Sequence, residues 1–290
     1  MAPLELMAES PAYLLTVLAI FGLLVGSFLN VVILRLPRMM EAEWQQEARA
    51  ILELPAEERP SAFNLVEPRS RCPHCSHAIR WYENIPVISW LALRGRCSNC
   101  EARISVRYPL IELTAALAAV LAGLRFGYDP WLLFALFAGW CLLALAMIDF
   151  DTTLLPDSLV FPLLWAGLLA AWLDISPVSL ENAVAGAMAG YLALWSVYHV
   201  FRLLTGKEGM GHGDFKLLAA LGAFVGWQLL PLVILLSSLV GALVGGLLLA
   251  TGALGRDQGI PFGPYLAAAG WIAMLWGPQL VEGYFGLMGI

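Results

Sequence analysis

The sequence predicts an all-α protein that crosses a membrane several times and carries one small domain outside the membrane. Sixty percent of its 290 residues are hydrophobic and only 13% are charged, more than the core of a soluble domain of this length requires. The hydrophobic residues fall in long runs, most of them near the ~20 residues that cross ~30 Å of hydrocarbon. A single polar stretch, residues 37–108, interrupts these runs.

Eight apolar runs are candidate transmembrane helices. Only Gln228 and Pro231 separate the sixth run from the seventh, and the sixth is short, so seven spans is an open alternative. We expect three parts: a first transmembrane helix (1–36), a polar domain (37–108) and a transmembrane core (109–290). The predicted spans cover residues 12–34, 109–126, 130–148, 157–173, 180–203, 214–229, 231–252 and 261–282.

The charged residues predict the orientation of the chain. No Lys or Arg precedes Arg35 and no small-residue cleavage site follows the first run, so this run predicts a true span and not a cleavable signal peptide. Of the 16 Lys and Arg residues, 11 lie between Arg35 and Arg107, which predicts that the polar domain is cytoplasmic. Eight spans then place the loops at 149–157 and 204–214 on the cytoplasmic side and both termini outside. Nothing in the sequence indicates nucleic-acid binding.

The polar domain contains two C-x-x-C motifs separated by 21 residues, a spacing typical of a four-thiolate zinc site. About 70 residues broken by Pro and Gly build little core, and a bound metal can supply the missing folding free energy. The alternatives are two disulfides, which a reducing cytoplasm disfavours, or free thiols. His74 or His77 could replace a cysteine, whereas Cys141 lies in an apolar run and is expected only to pack. The predicted zinc ligands are Cys72, Cys75, Cys97 and Cys100.

Two aspartates, Asp149 and Asp214, each lie where an apolar run meets a polar loop, and both loops are predicted on the same side of the membrane. Acidic residues at membrane depth are costly, so they usually face a protein interior or a water-filled cavity and have a function there. Two carboxylates that face each other can share one proton and act as an acid/base pair on water. This arrangement indicates a protease that acts within the membrane.

Nearby acidic residues leave alternatives open. Asp151 could be a solvated loop residue, and Asp157 could cap the helix that follows it and complement the helix dipole. Spacing alone does not choose among these two and Asp149. Asp214 could likewise be a helix cap, with Lys216 as a neighbour whose amine reaches toward water.

The glycines of the Gly-x-Gly-Asp sequence, Gly211 and Gly213, permit close backbone approach and positive φ angles. A substrate strand could therefore lie against the carboxylate that follows them. They do not form a phosphate-binding loop, because the sequence G-x-x-x-x-G-K-[ST] is missing from the chain.

An ion-coupled membrane transporter with a zinc-regulatory domain is the alternative function. Intramembrane aspartates, and helices interrupted by glycine and proline, also mark ion pathways. The two halves of the chain show no obvious inverted repeat, and both aspartates are predicted at one membrane face and not at the midplane. These observations favour the protease.

Several short motifs occur in one order along nearly the whole chain and together resemble the bacterial type 4 prepilin leader peptidase family. A chance match to the whole ordered set is far less expected than a match to any one motif. The motifs are residues 26–32 (GSFLNVV), the two C-x-x-C pairs, 83–86 (ENIP), 107–112 (RYPLIE), 148–157 (IDFDTTLLPD) and 209–216 (GMGHGDFK).

The resemblance implies an inner-membrane aspartic protease that removes the leader peptide of type IV prepilins and pseudopilins at the cytoplasmic face. It also implies N-methylation of the new N-terminal residue with S-adenosylmethionine. Carried over to this chain, the catalytic pair is Asp149 and Asp214. The supporting residues are then Asp151, Asp157, Gly211, Gly213 and Lys216.

The methyl-donor site has no familiar sequence signature in this chain. A soluble methyltransferase would show a glycine-rich turn after a strand, and none is found here. The cytoplasmic loop with Glu83 and Asn84 is the candidate site, because it is expected beside the place where the new amine emerges. Glu83 could hold or deprotonate that ammonium group; alternatively, these residues pack the zinc domain onto the membrane core.

Overall fold

The computed structural model describes residues 3–55, 63–252 and 260–288, and nearly all of its regular structure is helical. The chain forms two compact units, Met1–Gly127 and Tyr128–Ile290. Within the described ranges there is no β-strand and only two isolated β-bridges. The helices in those ranges are α1 (Pro3–Glu9), α2 (Pro11–Ile51), α3 (Ile88–Ala92), α4 (Arg107–Phe126), α5 (Pro130–Thr152), α6 (Asp157–Trp172), α7 (Leu180–Thr205), α8 (His212–Val225), α9 (Leu230–Ala250) and α10 (Gly263–Met288).

Each predicted span lies on a helix, and all but the first agree with its bounds to within about six residues, which confirms the all-α membrane fold. Five helices of the described chain are long and apolar enough to cross a bilayer: α2, α4, α5, α7 and α9 with its preceding turn. Helix α6 is apolar but has 16 residues, and α8 has only 14. At ~1.5 Å per residue these two helices fall short of ~30 Å of hydrocarbon. The number of crossings, seven or eight, stays a prediction.

Local sequence signals set the helix boundaries. Ser10, Asp129 and Ser179 precede α2, α5 and α7, and each accepts a hydrogen bond from a backbone N–H of the first turn. Helix α7 ends at Gly206 and α8 at Gly226, with φ angles of 70° and 74°, which glycine adopts without steric strain.

Helix α2 continues beyond the predicted first span. The sequence predicts an end at residue 34, whereas α2 is 41 residues long and continues to Ile51. This corresponds to about 60 Å, roughly twice the thickness of the hydrocarbon. The second half of α2 is therefore a polar helix in the domain that the sequence predicts to be cytoplasmic.

Glycine residues bring α2 and α4 into backbone contact in the first unit. If these glycines had side chains, the Cβ atom at Gly22 would lie 2.6 Å from Ala116 Cα, and the Cβ atom at Gly26 would lie 2.6 Å from Glu112 Cα. Both distances are too short for a side chain, so only glycine fits at these positions. Such small-residue faces let membrane helices associate where lipid offers no hydrophobic driving force. The Asn30 side-chain amide strengthens this pair by donating to the carbonyl of Tyr108, 3.2 Å away.

The α2–α4 contact affects the domain boundary. The sequence predicts a boundary at residue 108, but the chain divides after Gly127, so that α4 belongs to the same unit as α2 and the cysteine-containing segment. The close approach of Gly22 and Gly26 to the backbone of α4 explains this grouping. The three-part division of the chain stays a prediction.

Helix α8 is the central element of the second unit. Every residue from Asp214 to Val225 is buried except Lys216, and α8 packs against α6, α7 and α10. Helix α7 approaches closest: a Cβ atom at Gly190 would lie 2.5 Å from the Leu218 carbonyl oxygen. A helix too short to cross a bilayer is thus enclosed by protein, where its terminal backbone groups are shielded from lipid.

Candidate active site and metal centre

Asp149 lies in the last turn of α5, and its side chain is only 4% exposed. The helix ends four residues later, where Thr153 adopts a left-handed conformation with φ 54°. The Asp149 carboxylate is held from another helix, because the backbone N–H of Gly263 donates to Oδ2 at 2.9 Å. The first residue of α10 therefore fixes the orientation of this buried carboxylate.

Asp214 lies in the first turn of α8, and its side chain is 6% exposed. Its Oδ2 faces Gly211, where a Cβ atom would stand 3.6 Å away. Its Oδ1 is buried and has no hydrogen-bond partner among the described residues. The start of α8, which carries Asp214, and the start of α10, which holds Asp149, both pack against Leu155, so the two aspartates that the sequence pairs lie in one region of the second unit.

Leu155 fills the space between the segments that carry the two carboxylates. A Cβ atom at Gly213 would lie 2.7 Å from Leu155 Cβ, and one at Gly263 would lie 2.7 Å from Asp149 Oδ2 and 3.2 Å from Leu155 Cδ2. The Leu155 side chain thus packs directly against the Gly213 backbone. Neither glycine uses the positive φ that glycine permits: Gly211 has a φ of −75°, and Gly213 is not among the positive-φ glycines. The approach of a substrate strand to these glycines stays a prediction. The second glycine is needed for space and not for backbone freedom.

The supporting residues predicted around this pair lie at the surface. Asp157 is the first residue of α6 and makes no capping hydrogen bond; both of its carboxylate oxygens instead accept from Lys216 Nζ at 2.8 Å. The same amine lies 5.4 Å from the centre of the Phe161 ring. This ion pair joins the first turns of α6 and α8. Asp151 is exposed at the end of α5.

Sequence reasoning missed Gly263. It lies 114 residues from Asp149, so no local pattern connects the two. The available signal is a glycine followed by Pro264 at the start of an apolar run. That pattern indicates a helix start with a free backbone N–H, but it does not indicate which carboxylate the N–H binds.

The four predicted zinc ligands come together in the first unit. The sulfur atoms of Cys72, Cys75, Cys97 and Cys100 all lie within 4.8 Å of one another. The Cys72–Cys100 and Cys75–Cys97 sulfur pairs are 3.8 and 4.0 Å apart, too far for disulfides. Zinc–sulfur bonds of ~2.3 Å in a tetrahedron give sulfur separations of ~3.8 Å. The cluster therefore has the geometry that a Zn²⁺ ion requires, and neither His74 nor His77 belongs to it.

The two knuckles repeat one backbone pattern. Cys72 N–H donates to the carbonyl of His77, and Cys97 N–H donates to the equivalent carbonyl of Ala102, both at 2.9 Å. Ser76 and Glu101, each the residue after a second cysteine, have φ angles of 56° and 58°. This turn directs both sulfur atoms of a knuckle to the same side.

Hydrogen bonds to the sulfur atoms shift the pKa values of the cysteines in opposite directions. The backbone N–H of His77 and the Asn99 side chain lower the pKa of Cys75 to about 6. For Cys100, the backbone N–H of Ala102 lowers the pKa, but hydrogen bonding with Cys75 and the neighbouring sulfurs outweighs it and raises the pKa to about 12. Four adjacent sulfurs cannot all ionise unless a cation balances them, and Zn²⁺ supplies that charge.

Glu83 makes hydrogen bonds within the segment that contains the four cysteines. Its Oε2 accepts from the backbone N–H of Arg80 at 2.8 Å, and its side chain is 10% exposed. A hydrogen bond from the Ser98 side chain, together with the Arg80 N–H, lowers the pKa of Glu83. Ser98 lies between the two cysteines of the second knuckle, so Glu83 connects this knuckle to the turn at Trp81–Asn84. Asn84 itself is exposed.

A helical membrane protein whose helix ends bring two buried carboxylates together has the groups of an intramembrane aspartic protease. Comparison with family models supports this class: residues 20–126 match the bacterial peptidase A24 N-terminal domain, and residues 135–246 match the type IV leader peptidase family. The chain belongs to the type IV leader peptidase family.

Relatives match over almost the full length of the chain. A protein of Stutzerimonas stutzeri is 57% identical over 98% of both chains, and one of Pseudomonas aeruginosa is 52% identical over 99% of this chain and 98% of its own. A protein of Legionella pneumophila is 43% identical over 97% and 98% of the two chains. Each of these is named prepilin leader peptidase/N-methyltransferase. No solved structure matches the chain significantly.

We expect Gly263→Ala to impair the carboxylate site without unfolding the protein. The added methyl would stand 2.7 Å from Asp149 Oδ2 and displace the carboxylate from its N–H donor. Displacement of a reacting group by ~1 Å can lower activity ~100-fold, so kcat/KM for cleavage of a prepilin should fall ~10–100-fold. Gly283→Ala on the same helix, where nothing lies within 4 Å, is the matched control. Activity of Gly263→Ala equal to that of the control would contradict this role.

We expect metal analysis of the purified protein to give one zinc per chain. Cys97→Ser should lose the metal and expose the segment 63–106 to protease, because so small a domain depends on its metal for folding. Cys141→Ser changes a buried cysteine outside the cluster and should retain zinc. Full zinc content in Cys97→Ser, or zinc loss in Cys141→Ser, would show that the four-sulfur site is wrongly assigned.

Proposed function

We propose that this chain removes the leader peptide of type IV prepilins and pseudopilins by a two-aspartate mechanism and then N-methylates the new N-terminal residue. Family membership and the names of its relatives support this activity. The observation that carries the mechanism is the burial of Asp149 and Asp214 in one site. The assignment of these two residues as the catalytic pair is part of the proposal.

The pair can divide acid and base roles between identical side chains. Two close carboxylates do not readily ionise together, so one is an ionised base while the other retains a proton. The ionised aspartate removes a proton from water as the water attacks the scissile carbonyl, and the protonated aspartate polarises that carbonyl. The departing amine then receives a proton from the pair. Each acid or base role contributes ~10²–10⁴-fold in rate, and no covalent intermediate is required.

The two carboxylates would have different starting states. Asp149 Oδ2 accepts a backbone hydrogen bond, which favours the ionised form. Asp214 also accepts a backbone hydrogen bond, from Gly211, but its Oδ1 is buried without a partner, whereas no oxygen of Asp149 is left so. We therefore propose Asp149 as the base and Asp214 as the acid at the start of the reaction.

We place the protein in the bacterial inner membrane, with the zinc-binding segment and the aspartate pair on the cytoplasmic side and both termini periplasmic. The concentration of Lys and Arg between Arg35 and Arg107 supports this orientation. The apolar helices support a membrane location. Prepilin-type substrates and membrane lipid are then the expected partners.

Methyl transfer requires a donor site, and S-adenosylmethionine supplies an electrophilic methyl group when it is bound. Glu83 and Asn84 remain the candidates for this site. The exposed Asn84 amide is available to a ligand, whereas Glu83 Oε2 already accepts the Arg80 N–H. Asn84 therefore fits a donor-binding role, and Glu83 fits only through its remaining acceptor capacity. An ionised Glu83 would hold the new N-terminal ammonium by charge and accept the proton that the nitrogen must lose before it attacks the methyl group.

The transporter alternative is not favoured. The chain belongs to a peptidase family, and the two aspartates lie at helix ends and not at the middle of broken helices.

We expect Asp149→Asn and Asp214→Asn each to lower prepilin cleavage by at least ~10²-fold, because an amide cannot exchange the proton that the mechanism requires. Purified variants in lipid would be mixed with a prepilin, and mass spectrometry would report the leader and the state of the new N-terminus. A methyl group on the wild-type product would establish the second activity in the same experiment.

Asp174→Asn is the matched control for this pair. Asp174 follows α6 with a φ of 53°, a conformation that asparagine also tolerates, and it should retain full cleavage. Cleavage by either active-site variant would refute the pairing, and loss of cleavage in Asp151→Asn alone would identify a different carboxylate.

We expect Glu83→Gln to separate the two interpretations of this residue. If its charge holds the ammonium, methylation should fall ~10-fold or more while cleavage, zinc content and Tm stay unchanged. If Glu83 only packs the zinc-binding segment, Tm and zinc content should fall together with methylation. Glu101→Gln is the control, because Glu101 lies on the second knuckle with its side chain 81% exposed. Unchanged methylation in Glu83→Gln would remove this residue from the donor site.

A further inference from the structure

Two buried side-chain oxygen atoms in the described chain have no hydrogen-bond partner. One belongs to the first turn of α8, and the other belongs to a residue whose ring packs against this turn. One is Asp214 Oδ1, which the proposed mechanism already uses. The other is the hydroxyl of Tyr198 on α7, whose residue is only 2% exposed. No role has been assigned to this hydroxyl so far.

Tyr198 ends the face of α7 that packs against α8. The buried residues of this face recur every four positions, and their size increases along the helix from Gly186 and Gly190 to Leu194 and Tyr198. Gly186 and Gly190 lie against the middle and end of α8, where the backbones of α7 and α8 are in contact. The Tyr198 ring lies against its beginning, 5.1 Å from the ring of His212 and 5.6 Å from that of Phe215. These two residues flank Asp214 in the same turn.

The ring alone explains the packing but not the hydroxyl. Phenylalanine would fill the same space and make the same ring contacts without burying a polar group. A buried hydroxyl without a partner costs about 1–3 kcal/mol in proteins, so such groups are rare unless another state of the molecule pairs them. Asp214 Oδ1, in the residue before Phe215, is also buried and also lacks a hydrogen-bond partner. Two unpaired oxygens at one helix turn indicate a ligand that brings its own hydrogen-bonding groups.

The chemistry of the turn indicates what kind of ligand fits. The N-cap of α8 is Gly211, and no side chain caps the helix, so backbone N–H groups are available there as well. The hydroxyl can both donate and accept. Around the position of a Cβ atom at Gly211, only Asp214 Oδ2 lies within 4 Å, so this glycine leaves room for a backbone. A peptide main chain has alternating C=O and N–H groups that match this set. A charged or purely apolar ligand would leave part of the set unpaired.

We propose that the Tyr198 hydroxyl binds the main chain of the prepilin next to the scissile peptide bond. This inference rests on the proposed function and assigns a substrate-binding residue to the same site. Tyr198 would satisfy its hydroxyl only in the complex, and it would align the strand that Asp149 and Asp214 act upon. The residue takes no proton and forms no covalent bond.

The test is Tyr198→Phe, which removes one oxygen atom and retains the ring. We expect kcat/KM for prepilin cleavage to fall ~5–10-fold, the equivalent of one hydrogen bond between neutral groups. We expect Tm to stay the same or rise, because the variant no longer buries an unpaired hydroxyl. Tyr191→Phe is the matched control: Tyr191 lies on the same helix, its ring contacts Phe215 at 6.0 Å, and it is 36% exposed. It should leave both quantities unchanged.

Two results would overturn the inference. Unchanged kcat/KM in Tyr198→Phe would show that the hydroxyl does not contact the substrate. A fall in Tm together with kcat/KM would show that the hydroxyl has a partner inside the protein and acts on folding.

A binding measurement keeps this inference distinguishable from the proposed function. A peptide that spans the prepilin cleavage site would be titrated against Asp149→Asn, with and without Tyr198→Phe. If the wild type does not cleave prepilin, the proposed function fails. Weaker peptide binding in the double variant would still support the role of the hydroxyl, and equal binding would refute it.

Discussion

Helix α8 carries Asp214 in its first turn but has only 14 residues, about 21 Å, so it cannot cross a bilayer alone. Its terminal N–H groups therefore need a protein environment, since lipid offers no hydrogen-bond partner. The second unit meets this constraint by surrounding α8 with α6, α7 and α10. Glycines on α7 allow backbone contact along one side, and Leu155 closes the space beside Gly213. The same enclosure holds a carboxylate at a depth where lipid would exclude it.

The carboxylate of Asp149 is held in a different way. Asp149 lies at the end of α5, where helix carbonyls and not N–H groups are free, so its own helix cannot supply a donor. The start of α10 supplies one through Gly263. A side chain at this position would collide with the carboxylate it holds, and so both the N–H and the lack of a Cβ are required. One aspartate therefore lies at a helix start and the other at a helix end, and their environments differ although their chemistry is the same.

Sequence patterns predicted what is local and missed what is distant. The cysteine ligands follow from two short motifs that fold into matching knuckles, and each predicted span follows from an uninterrupted apolar run. The Asp149–Gly263 bond joins residues 114 positions apart, and the α2–α4 contact depends on glycines that resemble others in the chain. The Gly-x-Gly-Asp sequence permits either positive φ or close packing, and the pattern alone does not say which; in the structure Gly213 lacks a positive φ and gives space to the Leu155 side chain. The assignments of catalytic and methyl-donor residues stay predictions.

The unpaired oxygens at the first turn of α8 reflect a compromise between stability and binding. A fold optimised for stability alone would place phenylalanine at Tyr198 and would pair Asp214 Oδ1 with a donor. Pairing these groups inside the protein would consume the hydrogen bonds that a peptide must form. A main chain that enters the membrane loses its bonds to water, and it gains most where the site offers unpaired groups in fixed positions. The burial that makes the free site unfavourable by a few kcal/mol therefore also strengthens its contacts with substrate, because hydrogen bonds gain strength where water is excluded.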